Sequence, residues 1–80
     1  MLYKIPLLLT PQPEGGFTVT SPLLPELVTE GENIEEVLAN VRDAFEAICE
    51  LYDDLGKKLP HNLLLADQDS PALIETLISA

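Results

Sequence analysis

Three short stretches near the start of the chain have the apolar or alternating pattern of β-strands. They span residues 2–10, 17–21 and 26–30. Gly15 and Gly16 lie between the first two stretches and can supply the positive φ angles that a tight turn requires. The pattern therefore predicts that the first two strands form a hairpin.

Two prolines separate the second predicted strand from the third. Proline lacks a backbone N–H and restricts the residue before it, so Pro22 and Pro25, spaced by two leucines, favour an extended bend over a helix. Pro6 removes one hydrogen bond from the first strand, which indicates a sheet edge or a bulge there. Gly31 is predicted to end the third strand.

An apolar stripe with three-and-four spacing predicts one long helix over residues 34–55. Asn33 has the side-chain acceptor of an N-cap, and Glu36 is expected to bond back to the N–H of that cap. Gly56 is expected to end the helix in a left-handed conformation, and Pro60 prevents its resumption. Because three strands precede the helix, they provide a sheet on which the stripe can lie. The stripe consists of Ile34, Val37, Leu38, Val41, Phe45, Ile48, Tyr52 and Leu55.

The C-terminal part of the chain has a weaker pattern. Residues 61–71 mix a short apolar run with turn residues and are predicted to form an ordered connection. In the last ten residues, the apolar positions have the spacing of a helical stripe, whereas β-branched Ile74, Thr76 and Ile78 suit one face of a strand. The residues themselves leave both alternatives open.

Length and charge narrow the class of protein. Eighty residues are expected to form one domain, residues 1–80. A domain this small buries only about 60% of the surface of its unfolded chain, so a homo-oligomer, a dimer or a tetramer, is expected. The net charge of −10 would repel phosphate backbones, which argues against direct binding of nucleic acid. A basic protein partner fits this charge better.

The single cysteine, Cys49, cannot form an internal disulfide, so the sequence predicts a cytoplasmic protein. Cys49 neighbours the apolar stripe of the helix and is interpreted as a buried structural thiol. No apolar run approaches the roughly 18 to 20 residues of a membrane span, and no targeting signal is expected.

No catalytic, metal-binding or cofactor-binding residues are predicted, and His61 stands without a second ligand at metal spacing. Carboxylates on the outer face of the helix form either a solvated surface or a surface for a basic partner. Glu50 follows Glu46 and precedes Asp54 by four residues, so these like charges repel, and a basic partner would offset the repulsion. The alternative is that the net charge only keeps a small apolar domain soluble. These outer carboxylates are Asp43, Glu46, Glu50, Asp53 and Asp54.

Residues 15–48 resemble the HicB-like antitoxin family. The pattern of that family runs from a double glycine through an aromatic strand to a proline-leucine-proline corner, then to a Thr-x-Gly step and a capped helix start. Glu26 departs from it, since glycine usually follows the second proline, and Asn33 replaces the commoner threonine cap. The matching positions are Gly15, Gly16, Phe17, Val19, Pro22, Leu24, Pro25, Thr29, Gly31, Glu35, Glu36, Ala39, Asn40 and Ala44.

The resemblance implies an α+β fold similar to a partly degraded RNase H, with three antiparallel strands, a helix and a fourth strand. It places residues 72–79 as that fourth strand, beside the first. An RNase H reaction needs a carboxylate on the first strand, and this strand has none, so the protein is not expected to be an enzyme. Many family members carry a further C-terminal DNA-binding domain. The sequence is not expected to include one, which puts operator binding in doubt.

The resemblance implies an antitoxin that neutralises a small basic HicA-type mRNA interferase by covering its surface. The alternative is a solitary, homo-oligomeric structural or regulatory family member without a cognate toxin. Charge alone suggests which acidic residues would steer a basic partner. They are Glu26, Glu30, Glu32, Asp43, Glu46 and Glu50.

Overall fold

Three short strands, one long helix and a single 3-10 turn make up the regular structure in the computed structural model. The described residues are 2–64, 71, 73, 75, 76 and 78. The elements are β1 (Leu8–Pro11), β2 (Phe17–Thr20), β3 (Val28–Gly31), α1 (Ile34–Asp54) and a 3-10 helix (His61–Leu63). The α+β class predicted from the sequence is confirmed.

The strands form an antiparallel sheet in the order β1-β2-β3, so β2 is central. Its Val19 lies opposite Leu9 of β1 and Thr29 of β3. Gly15 and Gly16 turn the chain between β1 and β2 with φ angles of 102° and 76°. The predicted hairpin and its two left-handed glycines are therefore present.

The first and third strands are shorter than predicted. β1 begins after Pro6, because proline has no N–H for a ladder. Before it, the N–H of Lys4 donates to the carbonyl of Leu63 at 2.7 Å. β3 begins at Val28 and not at Glu26, because Pro25 and Glu26 form a turn that the bond from Leu27 N–H to the Leu24 carbonyl closes at 3.0 Å.

The core lies between one face of the sheet and α1. Val37, Val41 and Ile48 are the buried residues of the helix. The corner between Pro22 and Pro25 also contributes to this core. Leu24 inside the corner and Leu27 just after it are both 0% exposed. Two members of the predicted stripe lie at its margin instead, with Leu38 55% exposed and Leu55 59% exposed. The remaining buried apolar residues are Val19 and Leu63.

Side chains and backbone cap both ends of α1. The Asn33 carboxamide oxygen accepts from the N–H of Glu36 at 2.8 Å, as predicted for an N-cap. The Glu36 carboxylate accepts from the N–H of Glu32 at 3.3 Å, one residue before the expected N–H of Asn33. At the other end, Gly56 has a φ of 66°, and the Lys57 N–H donates to the Tyr52 carbonyl at 2.8 Å. This pattern is a Schellman motif.

The predicted fourth strand, residues 72–79, falls largely outside the described residues, and so does most of the connection before it. Residues 61–64 of that connection form the 3-10 helix and an isolated antiparallel bridge between Leu64 and Tyr3. In the part of the chain that the structure describes, no helix is both long enough and apolar enough to cross a bilayer.

Candidate protein-interaction surfaces

The outer side of α1 is a charged surface, called here the acidic helix face. Since Val37, Val41 and Ile48 point to the sheet, the positions on the opposite side of the helical wheel point to solvent. Seven exposed carboxylates occupy these positions: Glu35 and Glu36 in the first turn, and five further along the helix. The members of the acidic helix face are Asp43, Glu46, Glu50, Asp53 and Asp54.

Like charges are neighbours on the acidic helix face. Glu50 follows Glu46 by four residues and precedes Asp54 by four. Each such pair of like charges destabilises a helix by roughly 0.2–0.5 kcal/mol. Arg42 is the only basic residue of α1. The helix therefore keeps a concentrated negative charge that its own sequence hardly offsets.

The corner before β3 holds one carboxylate in a fixed position. The Tyr52 hydroxyl donates to Glu26 at 2.8 Å and so ties this corner to the C-terminal half of α1. This hydrogen bond raises the pKa of Tyr52 above its usual value, with burial and the Glu26 charge adding to the effect.

Glutamate is tolerated at position 26 because the turn does not need glycine there. Pro25 and Glu26 are the central residues of a turn closed from Leu27 N–H to the Leu24 carbonyl. No non-glycine residue in the described part of the chain has a positive φ. The turn is therefore type I, which accepts most residues at its third position, unlike type II. The departure from the family pattern leaves the corner tight.

The other side of the sheet, which the helix does not cover, is called here the open sheet face. Residues directly opposite one another on neighbouring strands share a face. Leu8, Thr20 and Val28 form one cross-strand row on it. The next row on the same face consists of Thr10, Thr18 and Glu30.

The six acidic residues predicted to steer a partner do not form one patch. Asp43, Glu46 and Glu50 share the acidic helix face. Glu26 lies at the corner, Glu32 lies between β3 and α1, and the Glu30 side chain lies on the open sheet face. All six are exposed. The tertiary structure thus brings three of them together and separates the other three.

Two residues that join the layers were predicted only as parts of a sequence pattern. The Asn40 carboxamide on α1 donates to the backbone carbonyl of Glu30 in β3 at 2.7 Å. Gly31 is buried at the end of β3, and a Cβ there would lie 2.7 Å from the backbone nitrogen of Val37. Both positions match the family pattern, and Gly31 was also predicted to end the third strand, but neither contact between the layers was predicted.

The remaining candidate residues have structural surroundings. Cys49 is half-buried, and burial, followed by the Glu46 charge, raises the pKa of its thiol. This shift disfavours the thiolate, but Cys49 was predicted to be buried and is only half-buried. His61 is exposed at the start of the 3-10 helix. The described residues contain no group of three or more His, Cys, Asp or Glu side chains that could hold a metal ion.

Known proteins are similar to most of this chain. No protein-family model matches it. Antitoxin HicB of Escherichia coli strain K12 is 33% identical over 57 residues, which cover 71% of this chain and 41% of the relative. Antitoxin HicB 1 of Photorhabdus laumondii is 37% identical over 57 residues, which cover 71% of this chain and 37% of the relative. The chain belongs to the HicB-like antitoxin family.

The similarity to HicB antitoxins covers only part of each relative. The chain spans about two fifths of the length of these relatives, 41% of one and 37% of the other. Both relatives are named antitoxins, and an antitoxin counteracts a toxin.

Proposed function

We propose that this HicB-like chain is a toxin-binding module that neutralises a small basic HicA-type mRNA interferase by covering its surface. The observation that carries this proposal is the similarity to HicB antitoxins over 71% of the chain. In this function the protein acts by binding in the cytoplasm, and it catalyses no reaction. Incubation of the purified chain with RNA and Mg²⁺ or Mn²⁺ should therefore leave the RNA intact.

The acidic helix face supports a basic partner. Its five exposed carboxylates belong to a chain with a net charge of −10, so its potential attracts a cationic surface over roughly a Debye length, about 8 Å at physiological salt. Complementary charge of this kind mainly raises the association rate and makes it depend on salt. A basic toxin would also relieve the repulsion between Glu46 and Glu50.

The corner supplies a second, more rigid contact. The Tyr52 hydroxyl restricts the Glu26 carboxylate before any partner arrives. A carboxylate that is already oriented loses less side-chain entropy when a partner binds. We assign Glu26 the role of a positioned acceptor for an arginine or a lysine of the toxin, beside the broader field of the acidic helix face.

The first step of the test is to find whether the adjacent reading frame encodes a small basic protein, and the second is to measure binding of the chain to that protein. Stopped-flow kinetics should give an association rate that falls steeply with salt. The double variant Glu46→Lys and Glu50→Lys should lower this rate by about 10-fold or more at low salt. A matched control, Glu14→Lys with Glu75→Lys, changes the net charge equally at exposed sites outside α1 and should have a smaller effect.

Two results would contradict the proposal. One is the absence of any complex at low salt together with no rescue of toxin-arrested cells. The other is an equal loss of rate in the two double variants, which would show that only net charge matters and that the acidic helix face is not the docking surface. If no adjacent basic protein is encoded, the solitary homo-oligomeric family member becomes the better interpretation.

A further inference from the structure

In the part of the chain that the structure describes, β3 is an edge strand of the sheet. The outward N–H and C=O groups of an edge strand are a template on which a strand of another molecule can pair. Val28 adds to this hazard, because it is an apolar side chain on the edge strand and is 63% exposed. An open β3 edge would therefore favour assembly of the chain into extended sheets.

The turn between β1 and β2 fixes the direction of the backbone groups in β2. The Gln12 N–H donates to the Gly16 carbonyl at 3.0 Å, so these two residues form a hydrogen-bonded pair. In an antiparallel ladder, hydrogen-bonded pairs and non-hydrogen-bonded pairs alternate. Counting from this pair along β2, Phe17 and Val19 direct their N–H and C=O groups away from β1 and toward β3.

The outward groups of β3 therefore belong to Val28 and Glu30. Gly31 and Thr29 lie opposite the two β2 residues that face β3, so they bond to β2. Val28 and Glu30 alternate with them, and their N–H and C=O groups point away from β2. The Asn40 carboxamide donates to the Glu30 carbonyl at 2.7 Å, as an outward carbonyl allows. The ladder and this hydrogen bond thus give the same orientation.

Asn40 occupies the position that an added strand would need. An antiparallel strand would have to bond to both the N–H and the C=O of Glu30, and the Asn40 carboxamide already takes this carbonyl. The absent side chain of Gly31 lets the backbone of α1 approach the end of β3, which keeps the carboxamide beside the strand. The outward groups of Val28 remain, and one residue offers too few hydrogen bonds to hold a strand.

We propose that Asn40 closes the outer edge of β3 against strand addition and so prevents edge-to-edge assembly of the chain. This role is distinct from the stability that the same hydrogen bond gives to the junction of the layers. It does not depend on a toxin. Without the carboxamide, the chain should still fold, but β3 should gain a pairing edge made by Val28 and Glu30.

Thioflavin T fluorescence and sedimentation velocity measure assembly of Asn40→Ala at roughly 0.1 to 1 mM, a range in which unpaired strand edges drive aggregation. The variant should form sheet-rich assemblies larger than any wild-type species, with a lag time several-fold shorter. Gly15→Ala is the matched control, because its positive φ should cost a similar amount of stability at a turn outside β3 and α1. This control should keep the wild-type lag time.

A second substitution tests whether the assemblies grow through the β3 edge. Lysine on an edge strand opposes pairing, and the Val28 side chain is exposed enough to be replaced. In the Asn40→Ala background, Val28→Lys should restore the wild-type lag time. Leu8→Lys makes the same change of charge on β1, at a residue that is 61% exposed, and should not restore it.

Several results would overturn the proposal. An Asn40→Ala variant that assembles no faster than the wild type would show that the carboxamide closes nothing. Equally fast assembly of Gly15→Ala would assign the effect to lost stability. Failure of Val28→Lys to restore the lag time, or equal restoration by Leu8→Lys, would place the assembly elsewhere. Circular dichroism checks folding, and if Asn40→Ala loses helical signal, Asn40→Ser replaces it, because its side chain is too short to reach the Glu30 carbonyl.

Discussion

The acidic helix face and the open sheet face are the two outer surfaces of one small two-layer structure, and their chemistry is opposite. The acidic helix face presents five carboxylates to solvent, while the strands present threonines, two exposed apolar side chains and one glutamate. Both layers nevertheless contribute their inner residues to the same core. The difference is one of charge: the acidic helix face concentrates carboxylates, whereas the strands of the open sheet face carry one, Glu30.

The two surfaces also differ in how ordinary their exposed residues are. Charge on the outside of an amphipathic helix is the ordinary result of solvation, so the acidic helix face by itself is weak evidence of binding. Exposed leucine and valine opposite one another on a sheet are less expected, although single exposed apolar residues are common. The position of Leu8 and Val28 in one row is therefore the more informative observation.

Gly31 of β3 lies close to the backbone of α1, so the two layers meet there. We expect a side chain at this position to lower the free energy of unfolding more than any other change proposed here. In Gly31→Ala the new Cβ would overlap the backbone of Val37, which cannot move without shifting the helix. Overpacking of this kind should lower the free energy of unfolding by about 2–3 kcal/mol. Urea denaturation measures it.

Gly15→Ala is the control for Gly31→Ala. A Cβ at Gly15 meets nothing within 4 Å, so only its positive φ opposes the substitution. That should cost about 1 kcal/mol. If Gly15→Ala destabilised the protein more than Gly31→Ala, the close approach at Gly31 would not be what holds the layers together.

Loss of the Asn40 hydrogen bond should loosen the same junction by a smaller amount. Asn40→Ala removes the donor to the Glu30 carbonyl and should cost about 1 kcal/mol of unfolding free energy in thermal or urea denaturation. Asn40→Asp is nearly isosteric but has no donor, and should therefore be at least as destabilising. A fully stable Asn40→Asp would show that the hydrogen bond contributes little.

A charge change on the acidic helix face should stabilise the fold slightly while weakening partner binding. Glu50→Lys converts repulsion with Glu46 and with Asp54 into attraction, so the free energy of unfolding should rise by about 0.5 kcal/mol at low salt. The gain should shrink as salt is added. Glu50→Gln removes the repulsion only and should give a smaller gain. Destabilisation by both variants would show that repulsion between Glu50 and its neighbours Glu46 and Asp54 does not lower the stability of the fold.

The smallest expected effect concerns the pH dependence of the corner. The folded state holds the pKa of Tyr52 above its ordinary value of 10.0, chiefly because its hydroxyl donates to Glu26. The stabilisation is therefore complete below that ordinary value and is lost as the pH rises through the folded-state pKa. The thermal midpoint of the wild type should fall more steeply in alkaline solution than that of Tyr52→Phe.

The pKa of Tyr52 itself can be measured by ultraviolet absorbance. A Tyr3→Phe background leaves Tyr52 as the only tyrosine, since the chain has two. Glu26→Gln in this background should bring the pKa of Tyr52 back toward its ordinary value, because it removes the carboxylate acceptor. An unchanged titration would show that the corner is not tied to the helix in solution.

Local sequence patterns predicted the helix and the hairpin well. Both ends of α1 lie within one residue of the prediction: the helix begins at Ile34 after the Asn33 cap and ends just before Gly56. The prediction succeeds because caps and glycine φ angles are local properties. The prolines predicted a bend between β2 and β3. They did not predict that Leu24 and Leu27 in this bend are buried, since burial depends on contacts with residues distant in the sequence.

The sequence by itself therefore determined the three strands, the long helix, their order, the family and the sign of the charge. Tertiary structure alone decided that Glu26, Glu30 and Glu32 lie apart from the acids of the helix, and where Asn40 and Gly31 join the layers. It also placed Leu8 and Val28 in one exposed row. The physical reason is distance along the chain: helix periods, caps and turns depend on residues within about five positions, whereas contacts between layers join residues far apart, such as Glu26 and Tyr52.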